Sequence, residues 1–307
     1  MKSTFKAARK PWLLALILLF AVALTACGQG ANEPAEEANQ ESSGEATAPA
    51  TEEPSETEPA EEPAGDTLLD RIKASGQLRL GTSADYPPYE FHKIIDGQDQ
   101  IIGFDIEIAK AIAADLGVEL VITDMSFDGL LTALQSGNID IVLAGMTPDE
   151  ERAKAVDFSD IYYTAVQKVI VRAEDQATYK SIADLAGKPV GAQLGAIQEG
   201  IVKDQMPESQ LRSLAKLPDL ILDLKAGNVE ALVVEEPVAA AYVAANPDLV
   251  ISDVELAQEE AGSAVAMPKN SPELVAAVNA TLKRLTEDGS IAKFVTDATN
   301  AMENAAE

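Results

Sequence analysis

Residues 103–117 read "GFDIEIAKAIAADLG". From Ile106 onward the apolar residues fall at 108, 109, 112, 113 and 116, the spacing of one helix face. Gly117 stands where a helix closes. Asp105 and Glu107 suit a helix start, where the macrodipole favours acids. The stretch is either a buried helix with a charged start or the mouth of a site, and its own spacing leaves both open. Before it, "QLRLGTSADYPPYEF" (77–91) alternates at Leu78 and Leu80 and breaks at Gly81 and Pro87-Pro88, a strand running into a loop. Asp96-Gly97 between apolar runs signals a hairpin. After it come "VELVIT" (strand), "DGLLTALQSG" (helix), "IDIVLAG" (buried strand) and "PDEERAKAV" (helix). Further on, "QKVIVRA", "KPVGAQLG", "VEALVVEE" and "AGSAVAMPK" read as strands. "IQEGIVKDQ", "PDLILDLKAG", 237–245 and 272–287 read as helices. This alternation predicts an α/β fold with mostly parallel sheets flanked by helices. Ligands of such sheets bind beyond the carboxyl ends of the strands. The loops 82–91, 124–128, 144–148, 194–198 and 234–237 are therefore the expected wall of a site.

The chain has 307 residues and a formal charge of −28. Residues 1–27 place Lys2, Lys6, Arg9 and Lys10 before an apolar run that ends in "LTAC". A basic start, a short apolar core and a small-residue end make a secretory signal. A membrane span is the competing reading. Cys27 is the single cysteine, so no disulfide is available. Residues 28–66 hold twelve acids, no Lys or Arg, and much Pro, Ala, Ser and Thr. A segment of that kind buries too little to order itself and reads as an acidic, disordered tether. Residues 67–307 carry 39 acids and 19 bases, which excludes the basic footprint of a nucleic-acid binder.

Chemistry on the expected loops is sparse. Arg152 follows "AGMTP" and can reach back toward the strand end, with Thr147 as the helix N-cap. Together they offer a cationic fork, a hydroxyl and free N–H groups suited to a carboxylate. Alternatively Thr147 only caps, and Arg152 pairs with Glu150 or Asp157 on the surface. Of Glu235 and Glu236, adjacent on a strand, only one can face a site. Tyr86, Tyr89, Phe91 and Phe127 are loop aromatics, and Tyr86 with Phe127 can sandwich an aliphatic chain or a cation. Gly103 and Asp105 can orient that loop instead of touching ligand. His92 is the only histidine and has no ligand-spaced companions, so neither a metal nor a cofactor is expected. No nucleophile elbow or P-loop is present.

Five stretches, in order, carry a family resemblance: "GTSADYPPYEF", "GFDIEIAKAIAADLG", "FDGLLTALQSGNIDIVLAGMT", "ERAKAVDFSDIYY" and "VEALVVEEPVA". The chain resembles the bacterial extracellular solute-binding proteins of family 3, the polar amino-acid receptors of ABC importers. "LTAC" likewise resembles a lipobox, which would lipidate Cys27. The resemblance implies a two-lobed periplasmic-binding-protein type II fold with a two-segment hinge. Lobe 1 would comprise 67–165 and 262–307, and lobe 2 residues 166–261. It implies that Arg152, Thr147 and the Ile197 backbone take the ligand carboxylate. Glu235, Ala144 and Gly145 would take the ammonium. Ser83, Asp85, Tyr86, Phe127 and Gln193 would meet the ligand side chain. Where the family usually has hydroxyls after Gly195, this chain has Ala196 and Ile197, leaving only backbone N–H groups there. The C-terminal end lacks the family's aromatic pattern.

The function implied is a monomeric receptor, lipid-anchored on the outer side of the cell membrane, that closes on a free polar L-amino acid, with basic ones among the candidates, and delivers it to a permease. A dehydratase-like enzyme on the same scaffold and a sensor for a signalling receptor are the other readings.

Overall fold

A computed structural model describes residues 67–257 and 262–303. The stretches read as a signal, a lipobox cysteine and a tether lie outside the described residues. Two five-stranded sheets organise the rest. In the first, the order is Glu119–Asp124, Gln77–Thr82, Ile141–Val142, Ala266–Pro268, Val156–Phe158, and only Ala266–Pro268 runs against its neighbours. In the second, the order is Gln210–Leu214, Pro189–Gln193, Ala231–Glu235, Gln167–Arg172, Leu249–Ile251, with Gln167–Arg172 antiparallel. Each sheet is thus mostly parallel and flanked by helices. The strand Gln210–Leu214 is missing from the sequence reading, because its "QLRSL" alternates polar and apolar too briefly to stand out.

The first lobe is built from both ends of the described chain and the second from one run. Tyr163–Thr164 pairs with Gly262–Ser263 where the chain crosses between them. These are the two connecting segments of a hinge. The final helix, Ser290–Glu303, packs on Phe104–Leu116, with Phe294 and Val295 against the core.

The opening stretch is the helix Phe104–Leu116. Its apolar stripe Ile106, Ile108, Ala109 and Ile112 is fully buried, and Gly117 closes it at φ 74°. Its start decides the fold's central contact. Gly103 sits at φ 137° with no side-chain cap. A Cβ there would lie 2.0 Å from the Tyr89 carbonyl oxygen, so only glycine permits the helix to dock on the 88–90 loop. Phe104 N then donates to Pro88 O at 3.1 Å, and Asp105 N to Tyr89 O at 3.0 Å. The hairpin Glu90–Ile102 follows the sequence expectation, with Asp96 at φ 52° and Gly97 at φ 77°, the turn in which both central residues have positive φ.

Candidate functional site

The expected loops meet in one cavity lined by Ser83, Tyr86, Glu90, Phe127, Ala144, Gly145, Thr147, Arg152, Gln193, Ala196, Ile197, Gln198 and Glu235. The room left between them is about 10 Å³, on the order of one water molecule. The two lobes are therefore closed on one another here.

Arg152 is buried, with 9% of its surface exposed, so the surface-pair alternative does not hold. Its Nη1 donates to Thr147 O at 2.6 Å and its Nη2 to Gly195 O in the second lobe at 2.9 Å. The guanidinium also lies 5.4 Å from the Phe127 ring centroid, within cation–π range. Asp149 approaches Nε at 3.3 Å. The N-cap is Asp149, whose side chain accepts from Arg152 N, and not Thr147. The helix starts two residues further on, at Glu150, because Pro148 favours an extended residue before it. Thr147 instead gives its carbonyl to the arginine.

The helix Ile197–Gln205 opens on the same cavity with Ala196 as a cap that offers no side-chain bond. Its first N–H groups have no intrahelical acceptor, which makes that end a place for an anion. Gly195, at φ 77°, turns the chain into it.

Glu235 and Glu236 separate as a strand requires. Glu235 is 4% exposed and lines the cavity, while Glu236 is exposed and faces Lys168 at 3.6 Å. Tyr89 OH donates to Glu235 Oε2. Burial raises the Glu235 carboxyl to about 7, against the lowering effect of the Tyr89 bond.

Asp105 settles the question raised by its stretch. It is fully buried, and its Oδ2 accepts from Gly145 N at 2.9 Å and Tyr162 OH at 2.8 Å. It orients the 144–147 loop. That bond consumes the Gly145 amide, so Gly145 offers a ligand only its carbonyl. Burial raises the Asp105 carboxyl to about 6.

Asp85 departs from expectation. Its carboxylate does not line the cavity, because the second lobe occupies it. Lys216 Nζ approaches Oδ2 at 3.6 Å, Leu217 N donates to the same oxygen at 3.4 Å, and Gln193 Nε2 reaches Oδ1 at 3.4 Å. Ser83 Oγ donates to Oδ1 at 3.2 Å. Lys216 also reaches Asp124 at 3.8 Å. This clasp between the lobes lay beyond sequence reading, since Lys216 precedes a helix remote from the recognised stretches.

Two wall residues were likewise missed. Glu90 is fully buried with both carboxylate oxygens unpartnered. Gln198 donates to Gln167 Oε1 at 2.9 Å behind Glu235. An acid inside the aromatic, proline-rich "YPPYEF" was the available signal for Glu90. His92 stands between Asp99 at 2.9 Å and Asp124 at 3.4 Å, away from the cavity wall.

The raised carboxyls set a pH dependence. Between the ordinary carboxylate range and about 7, the folded protein holds protons that the unfolded chain has released. Raising the pH through that window therefore favours unfolding. Calorimetry without added ligand should give a Tm that falls from about pH 5 to about pH 8. A Tm flat across that range would contradict raised values at Asp105 and Glu235. Carboxyls held low by partners, such as Asp115 and Asp223, titrate below this window.

The chain is similar to known proteins in both sequence and fold. The chain is 44% identical over 223 residues to the arginine-binding extracellular protein ArtP of Bacillus subtilis, covering 71% of this chain and 84% of that one. It is similar to the crystal structure of AbpA, an amino acid ABC transporter substrate-binding protein from Streptococcus pneumoniae bound to L-arginine. There the TM-score is 0.74 and the identity 48%, covering 76% of this chain and 98% of that one. It is also similar to an ancestral amino acid-binding protein, AncCDT-1, a precursor of cyclohexadienyl dehydratase, with TM-score 0.69 and 36% identity over 76% of this chain and all of that one. The model of the bacterial extracellular solute-binding proteins, family 3, matches residues 78–298, and the chain belongs to that family.

Proposed function

We propose that this protein is the extracytoplasmic receptor of an ABC importer and closes its lobes on a free L-amino acid with a cationic side chain, arginine before others. One observation carries the reading. Arg152 from the first lobe and Glu235 from the second line a single cavity that also holds the unpartnered Glu90 carboxyl. Opposed charges on separate lobes suit a zwitterion, and closure joins them. The ligand carboxylate meets Arg152, Thr147 and the helix start at Ile197, where backbone N–H groups replace the absent hydroxyls. The ammonium meets Glu235 and the carbonyls of Ala144 and Gly145. Tyr86 and Phe127 flank the side chain, with Ser83 and Gln193 beside its far end.

Glu90 decides the side-chain class. A buried carboxyl without a donor is costly, and a guanidinium supplies the donors it lacks. The match to proteins that bind arginine supports this choice. The lipobox sequence supports an anchor at Cys27, which keeps the receptor beside its permease.

Isothermal titration of the full chain against the common amino acids tests the reading, and arginine should bind tightest. Ligand recovered unchanged by mass spectrometry separates a receptor from a dehydratase-like enzyme. Glu90→Gln should weaken arginine about 10- to 100-fold, the range for a lost charged hydrogen bond. Citrulline, the neutral isostere, should lose far less. Equal losses for both would remove Glu90 from side-chain recognition.

A further inference from the structure

We propose that Glu90 and Asp105 share one proton before ligand enters, and that a ligand with a cationic side chain expels that proton to solvent as it binds. The inference rests on the cationic-ligand reading above and adds a proton exchange to it.

The geometry begins with the helix start described above. Because Gly103 lets residues 103–105 lie against the backbone of 88–90, the Asp105 carboxyl is brought to the Glu90 carboxyl within the first lobe itself, and both are fully buried when the lobes are closed. Asp105 Oδ2 has two donors, Gly145 N and Tyr162 OH. Asp105 Oδ1 and both Glu90 oxygens have none. The two carboxyls lie within hydrogen-bonding reach of each other. Carboxylates only accept, so this contact is a repulsion when both are ionised and a hydrogen bond when one is protonated. The two donors on Asp105 hold it as the anion. Glu90, with no protein donor, is the member that carries the hydrogen and gives it to Asp105.

The surroundings of Glu90 agree. Asp105 acts on it from the helix, Asp85 from the neighbouring strand and Glu235 from the second lobe, and each raises its carboxyl further beyond the effect of burial. The hydroxyls of Tyr86 and Tyr162 face the same cluster. Lys216 is spent on Asp85 and Asp124, and Arg152 on carbonyls at the other end. The charged groups that act most strongly on Glu90 are all acids. A guanidinium or ammonium arriving there makes the ionised form of Glu90 the favoured one, and the O–H proton leaves for the buffer. A neutral side chain of the same shape leaves the proton in place.

Calorimetric titration of the full chain in two buffers of unlike ionisation enthalpy, near neutral pH, counts the protons. Glu235 meets the same ammonium on either ligand, so arginine minus citrulline isolates the Glu90 end. Arginine should release about one proton more than citrulline, and its affinity should rise up to about tenfold more steeply per pH unit. Glu90→Gln with arginine should lose that extra proton, since glutamine has none to give. Should citrulline bind too weakly for calorimetry, wild type against Glu90→Gln with arginine makes the same comparison. Equal release by arginine from wild type and variant would overturn the shared proton while leaving the receptor reading intact. If arginine does not bind the wild type, the cationic-ligand reading fails and takes this proposal with it.

Discussion

Arg152→Ala should lower the affinity for arginine by about 100- to 1000-fold, in the range for truncating one side of a buried charge pair. With the lobes closed, the guanidinium is held by two carbonyls, one from each lobe, and lies against an aromatic face. Among the described residues its one acidic ion-pair partner is Asp149, at 3.3 Å from Nε. A ligand carboxylate is then the anion that completes it, and without the fork that carboxylate faces only Thr147 and the helix start at Ile197. The lost bond to Gly195 O also removes one tie between the lobes. Titration calorimetry measures the loss, and a melting curve checks that the variant folds. Arg152→Lys should recover only part of the affinity, since an ammonium lacks the planar fork. A loss below tenfold in the alanine variant would take Arg152 out of the site.

Gly103→Ala should cost roughly 3–5 kcal/mol of stability, among the largest effects of a single methyl group. The added carbon would lie 2.0 Å from Tyr89 O, 2.5 Å from Tyr89 C and 2.8 Å from Glu90 Cα. All three are backbone atoms, so no side chain can turn aside, and φ 137° is itself closed to alanine. Relief requires the helix start to lift from the 88–90 loop, breaking its bonds to Pro88 O and Tyr89 O. Scanning calorimetry should show Tm lowered by roughly 10 °C, at 2–4 °C per kcal/mol for a domain of this size. Gly117→Ala is the control. It has positive φ but nothing within 4 Å of the added carbon, so it should cost only about 1 kcal/mol. If the two variants melt together, steric contact at Gly103 is not what matters.

The legible parts of this protein were those with local signatures. The stripe in 103–117, the Asp96-Gly97 turn and the buried runs "IDIVLAG" and "ALVV" each declare their element through a short repeat, and alternation of strand and helix gave the sheets. Arg152 and Glu235 were legible as candidates because one lies in the first turn of a helix that follows a strand-end loop and the other closes a strand. What escaped depended on distant approach. Asp85 reads as a free carboxylate in "SADYPP", yet Lys216 and Leu217, 131 and 132 positions on, claim it. The cap moved from Thr147 to Asp149 because two residues able to cap stand beside one proline. Glu90 drew no reading from the sequence, because only its burial without a donor sets it apart.

The second sheet is complete in a single run of chain, 167–251, whereas the first receives its strand Ala266–Pro268 only after that run has passed. A ribosome therefore delivers every strand of the later lobe before the earlier one has its own full set. Until residue 268 emerges, Ile141–Val142 is paired on one side only, and the arginine-bearing half stays unfinished while the half bearing Glu235 can already stand.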